Sequence, residues 1–209
     1  MRLPYDIVII DLEANQPSDK IIEIGAVKFL RDGGIHPDKF SALVQIDEPL
    51  GVCNGGVIVD GKNQGKTITE LTGITDEMLA SAPSFDEAAE KFEKWAFSGS
   101  KNFILAAWGN WDIPCLRNEY NRFNRPYPFR GKAFDIKSMV VWTSCLYSKK
   151  WKSDGMGSML KCWEMSFEGN QHRALDDAYM TAKLLQKVWQ HHEQHGEKII
   201  KNLKQLGIK

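Results

Sequence analysis

Five residues in three short stretches have the types and spacing to do chemistry. "DLE" carries Asp11 and Glu13, "FILAAWGNWD" ends on Asp112, and "HRALDDA" opens on His172 with Asp177 five residues further on. On an extended strand alternate side chains share a face, so Asp11 and Glu13 point the same way. Two like charges at the end of a buried strand repel, and one stays protonated unless a cation sits between them. Hard carboxylate oxygens in this number suit Mg²⁺ or Mn²⁺. Each stretch also has an ordinary reading: two acids at a solvated strand end, a helix N-cap before "IPCL", and a capping histidine followed by solvated acids. On one helix His172 and Asp177 would splay by about 140°. They share a site if His172 sits in the loop before the helix, and "GNQ" ahead of it is loop-like.

Strands and helices must bring these stretches together. Tyr5 to Ala14 is short, apolar and β-branched, and reads as a buried central strand. Lys20 to Leu30 reads as a second strand, with Gly25 at a close approach, and Asp38 to Ile46 as a third after the "RDGG" turn. Short links between the three predict an antiparallel meander. Asp47 to Lys66 is Gly/Asn-rich and reads as a long surface loop, with a β-like "VIV" at 57–59 and a place at the substrate rim. Ile68 to Leu79 predicts a helical turn, a stop at Gly73 and a new helix capped by Thr75. Ser81 to Phe97 predicts an amphipathic helix capped by Ser84. Asn102 to Asn110 is another buried strand, and the helix after it tolerates Pro114 in its first turn. A short strand follows near Ala133 to Ile136, then two helices, a long helix from "HRALDDA", and a last helix in "EKIIKNLKQLGIK". The order predicts one α/β domain, a mixed sheet flanked by helices.

The chain has 209 residues, and 27 Lys+Arg balance 27 Asp+Glu, so a polyanion would have to be held by a local patch or by metal ions. Arg122, Arg125, Arg130 and "SKKWKSDG" (148–155) are local basic groups that read as solvated surface or as a path for a phosphate backbone. Four cysteines without a CxxC pair fit free thiols in a reducing compartment. No signal peptide and no apolar run of membrane-spanning length are expected, and the chain reads as cytoplasmic.

In this order, "DLE", "WGNWD" and "HRALDDA", with "ITELTGIT" between the first two, resemble the DEDDh (DnaQ-like) family of 3′→5′ exonucleases. The resemblance is nearest to the branch of histone-mRNA 3′-end exonucleases. It covers residues 1–192 as the exonuclease domain, with 193–209 as a helical extension. It implies an α/β ribonuclease H-like fold: a mixed five-stranded sheet, first three strands antiparallel, flanked by helices. Carried over by motif, the acidic ligands are Asp11, Glu13, Asp112 and Asp177, and His172 is the general base. The His-plus-five spacing selects Asp177 over Asp176, which becomes a bystander or a supporting group.

The resemblance further implies two divalent metal ions, Mg²⁺ or Mn²⁺, about 4 Å apart, bridged by Asp11. Glu13 and Asp177 would complete the first and Asp112 would serve the second. His172, with an ordinary pKa of ~6.5, would take a proton from the attacking water. The product would be nucleoside 5′-monophosphates released from single-stranded RNA or DNA 3′ ends. Trp111 would stack on a base, the backbone at Leu12 and Ala14 would touch the terminal nucleotide, and Leu71 with Ile74 would wedge against the base. A homodimer is left open. Two other classes compete: a nucleic-acid-binding or polymerase-associated module with weak activity, and a two-metal phosphatase. Retention of all four acids and the histidine favours the nuclease over the first, and a groove leading to the site would separate it from the second.

Overall fold

Asp6–Ala14 (β1) pairs antiparallel with Ile21–Phe29 (β2), which pairs antiparallel with Ile35–Leu43 (β3). Phe103–Ala107 (β4) and Phe134–Asp135 (β5) add in parallel on the other side of β1, giving the order β3-β2-β1-β4-β5. The helices are Ile68–Thr72 (α1), Asp76–Ala80 (α2), Phe85–Ala96 (α3), Asp112–Arg122 (α4), Ile136–Tyr147 (α5), Met156–Cys162 (α6) and Ala174–Gln205 (α7). This computed structural model describes residues 2–53, 65–99, 102–131, 133–147 and 155–205. The expected "VIV" strand and most of "SKKWKSDG" lie outside the described residues.

The alternation of β1 sorts the helices. Val8, Ile10 and Leu12 face one core layer, built with α3 and α4. Ile7 and Ile9 face the other, built with α5, α6 and α7. Asp11 and Glu13 continue the second series, so the strand's period of two aims both carboxylates at α7. β2 is covered on both faces, and all nine of its residues are buried. It nevertheless holds a glycine and a glutamate at its centre. Gly25 stands opposite Asp11, and Glu23 opposite Glu13. A Cβ on Gly25 would lie 2.1 Å from the carbonyl carbon of Ala174, so the start of α7 rests directly on the β2 backbone. The close approach expected at Gly25 is a helix seat.

Local signals explain the smaller pieces. Thr67 and Ser84 form reciprocal capping boxes with Glu70 and Glu87, and Gly73 ends α1 in the left-handed region at φ 73°. Two expectations are corrected. β3 begins at Ile35, ahead of the expected Asp38, because it is an edge strand. There Pro37, which has no N–H to donate, falls where the β2–β3 register shifts between Lys39 and Ile35, an irregularity that an edge strand tolerates. The two C-terminal helices expected on either side of residue 193 are one, because α7 runs unbroken to Gln205. A single interior glycine such as Gly196 costs only about 0.5–1 kcal/mol against alanine and does not stop a helix. No helix among the described residues is long and apolar enough to cross a membrane, and the four cysteines are free.

Gly25→Ala is expected to lower stability by about 1–3 kcal/mol, because backbone on both sides must give way. Urea unfolding checks this; a midpoint equal to that of the unaltered protein would mean that the α7 seat yields freely.

Candidate metal and catalytic site

Asp11, Glu13 and Asp177 each present a carboxylate oxygen, and the three oxygens lie within 4.8 Å of one another. Among the described residues no other set of three acids, histidines or cysteines converges this way. β1 supplies two of them on its α7 side. The first turn of α7 supplies Asp177 because Gly25 lets that helix come close. The fourth acid comes from the opposite layer. β4 pairs with β1 only as far as Ile9, so the Leu12 amide beyond it has no strand partner on that edge. Asp112, at the start of α4, fills the place: its Oδ1 accepts the Leu12 N–H at 3.0 Å. Its side chain does not cap α4, whose N-cap is Trp111 with no side-chain bond.

Burial raises all four acids. At Asp11 burial acts first, then the charges of Asp112, Asp177 and Glu13, and the carboxyl is held well above its ordinary value. At Glu13 burial is again the largest cause, followed by Asp177 and Glu23. Asp112 is pushed up to about 7 by burial, against the opposing pull of the Leu12 amide. Asp177 also rises to about 7 by burial, moderated by the amides of His172 and Arg173. An all-oxygen cluster that resists ionisation in isolation is the chemistry a hard divalent cation resolves. The donor set therefore fits the metals expected from the sequence.

His172 lies outside α7, in the loop ahead of it, with φ 63°. Its N–H donates to Asp177 Oδ2 at 2.8 Å, which ties the histidine to the acid cluster. Asp176 also has work in this loop: its Oδ2 accepts the Asn170 N–H at 2.8 Å.

The remaining sequence-predicted residues are placed as follows. Trp111 is half-buried beside Asp112, packed on the α3/α4 core layer. The Leu12 side chain is buried and its N–H is committed to Asp112, while Ala14 is half-buried. Leu71 is half-buried at the edge of a small cluster under α1 and α2. Ile74 is fully buried within that cluster, with Ile22, Cys53, Ile68 and Leu79. Arg122 pairs with Glu119, and Arg125 with Glu93.

Two supporting acids escape sequence reasoning. Glu23, 1% exposed, accepts Arg173 Nε at 3.1 Å, Arg173 Nη2 at 2.7 Å and the Ala174 N–H at 3.0 Å. Asp135, at the end of β5, accepts the Gly109 and Ser138 amides and so ties the "WGNW" loop to the start of α5. The available signal was an acid inside the otherwise apolar "IIEIGAV".

The sequence model of the exonuclease family RNase_T matches residues 58–185. The epsilon subunit of DNA polymerase III from Aquifex aeolicus is 30% identical over 191 residues, covering 87% of this chain and 81% of that protein. The PolC-type DNA polymerase III of Bacillus subtilis is 28% identical over 184 residues; that match takes in 87% of this chain but only 11% of the much longer polymerase. The solved nuclease domain of 3′hExo, a DEDDh family member bound to rAMP, superposes with a TM-score of 0.71 at 22% identity. It covers 91% of this chain and 95% of that one. The cell-death related nuclease 4 (CRN-4) gives 0.72 at 20% identity, covering 90% and 65%. These two structures share the fold.

The raised carboxyls set a pH dependence. Unfolded aspartates titrate near ~3.9. A folded value above that contributes stability that is full below the unfolded pKa. It is lost as pH rises through the folded values, about 7 for Asp112 and Asp177. The metal-free protein is expected to lose several degrees of Tm between about pH 5 and about pH 8, at roughly 2–4 °C per kcal/mol. Mg²⁺ or Mn²⁺ should restore more at the higher pH, because binding displaces protons. Scanning calorimetry with EDTA or metal reads both trends; a Tm independent of metal across that range would remove the cation from this cluster.

Proposed function

The chain belongs to the DEDDh (DnaQ-like) exonuclease family, and on that premise we propose that it removes nucleotides one at a time from the 3′ end of single-stranded RNA or DNA. The observation that carries the reading is the meeting of Asp11, Glu13 and Asp177 within 4.8 Å, with Asp112 and His172 beside them. In this reading residues 1–192 form the exonuclease domain and 193–209 a helical extension of it.

Asp11, Glu13 and Asp177, with Asp112 from the α4 side, would hold two divalent ions, Mg²⁺ or Mn²⁺. When bound, these neutralise the phosphodiester and make water a nucleophile near neutral pH. The protein's own groups do the rest. His172 takes the proton of the attacking water at a ring nitrogen. A bond forms from that water to phosphorus and the bond to the 3′-oxygen breaks. The departing 3′-oxygen takes a proton from solvent, which leaves a shortened strand with a 3′-hydroxyl and a free 5′-monophosphate. Trp111 offers an aromatic face to a base, and every base has a π-face, so the grip is independent of sequence. Leu71 is the candidate wedge, with Ile74 packed beneath it as support. Leu12 contributes by holding Asp112, and the Ala14 backbone is left to meet the terminal nucleotide.

A second reading, a polymerase-associated module with weak activity of its own, is favoured by the likeness to the DNA polymerase III epsilon subunit.

With Mg²⁺ or Mn²⁺, 5′-labelled RNA and DNA oligomers are expected to give a one-nucleotide ladder from the 3′ end. EDTA should abolish it. Asp11→Ala should remove activity, and His172→Ala should lower kcat by about 10²–10⁴-fold with the fold intact by circular dichroism. Full activity in Asp11→Ala would contradict the assignment. A ladder that forms only when a polymerase is added would favour the second reading.

A further inference from the structure

We propose that Glu23, through Arg173, is the positioning residue that sets His172 and Asp177 for the reaction. The inference rests on the exonuclease reading for its kinetic arm and on the geometry alone for its structural arm. Glu23 lies buried on β2, opposite Glu13, and its carboxylate is held by partners. It has three: two N–H groups of the Arg173 guanidinium and the amide of Ala174. Arg173 and Ala174 are the two residues that follow His172, and Asp177 is three beyond Ala174. The turn here is constrained from both ends. His172 occupies the left-handed region at φ 63°, which non-glycine residues adopt only when their surroundings hold them. Its N–H reaches Asp177 Oδ2 at 2.8 Å. On the far side Ala174 is pressed against Gly25.

Glu23 therefore grips the loop between the proposed base and the proposed ligand, at the point where helix and sheet backbones meet. Its role differs from that of the four clustered acids. Among the described residues no lysine or arginine pairs with those four, whereas Glu23 is matched by Arg173 in a two-pronged geometry that a lysine cannot reproduce. Groups that orient ligands and bases typically matter by about 10–100-fold when altered.

The test uses the full chain with two variants. Glu23→Gln keeps an acceptor for the Ala174 amide but loses the paired charge. Arg173→Lys keeps both charges but loses the two-pronged grip. Hydrogen exchange of the His172 amide, followed by NMR in the absence of metal, reads the loop directly. Kinetics on a 3′-hydroxyl oligonucleotide with Mn²⁺ read its consequence. Both variants are expected to speed His172 amide exchange by about tenfold, with β1 amides unchanged. Both should lower kcat by about 10–100-fold at little-changed KM. Wild-type His172 exchange in both variants would overturn the proposal. So would an acceleration spread equally over the sheet, which would mark a purely structural role. A wild-type kcat in Arg173→Lys with a fall only in Glu23→Gln would overturn it in favour of a simple charge effect. If the unaltered protein hydrolyses no oligonucleotide, the exonuclease reading fails by itself, and the exchange measurement still decides whether Glu23 holds the loop.

Discussion

At Gly25 the backbones of β2 and α7 touch with no side chain between them. The functional geometry depends on this contact. Asp11 sits across the ladder from Gly25, on the face toward α7. If the helix were held off by even one methyl group, Asp177 would retreat from Asp11 and Glu13 as a rigid body, because a helix start moves with its helix. The oxygens of the three acids meet within 4.8 Å because β2 gives up its side chain where the helix begins.

The contact works against a strong opposing force. Four carboxylates crowd into a poorly solvated notch, and burial more than any single charge raises their affinity for protons. The packing that holds them must outweigh this repulsion in the metal-free state. Two core layers provide it, one on each face of the sheet, and each layer sends one element into the notch: α7 with Asp177, and α4 with Asp112. The same crowding makes the site selective for a ligand of concentrated positive charge. In the proposed function this crowding would let a chain with no net charge engage a polyanion, through cations held in the notch and not through the surface as a whole.

Around the notch, backbone amides left over by strand and helix ends are taken up by acidic side chains. Asp112 takes Leu12, Asp177 takes His172, Asp176 takes Asn170, Asp135 takes Gly109, and Glu23 takes Ala174. Buried amides require acceptors. At this end of the parallel strands two of the acceptors, Asp112 and Asp177, also belong to the acid cluster, while Glu23, Asp135 and Asp176 hold the loops around it. Fold completion and site construction are thus partly the same set of bonds.

Much of this was legible in one dimension. Strand alternation put Asp11 and Glu13 on one face, capping chemistry at Thr75 and Ser84 placed two helix starts, and the position of His172 before its helix followed from the loop-like "GNQ". These are local matters, set by backbone period and by hydrogen bonds a few residues long. Other features were not legible. Asp112 read equally as a helix cap or as a site acid, and nothing local showed that it serves a strand amide 100 residues away. Ile74 looked like a residue for the substrate, yet it is closed inside a small core. Glu23 gave no local sign of a partner 150 residues distant. Sequence by itself determined which groups carry charge and which way each faces on its own element. Only the tertiary structure decided which of them meet, because the distance between two elements is set by the smallest side chain at their crossing, and that crossing belongs to both elements at once.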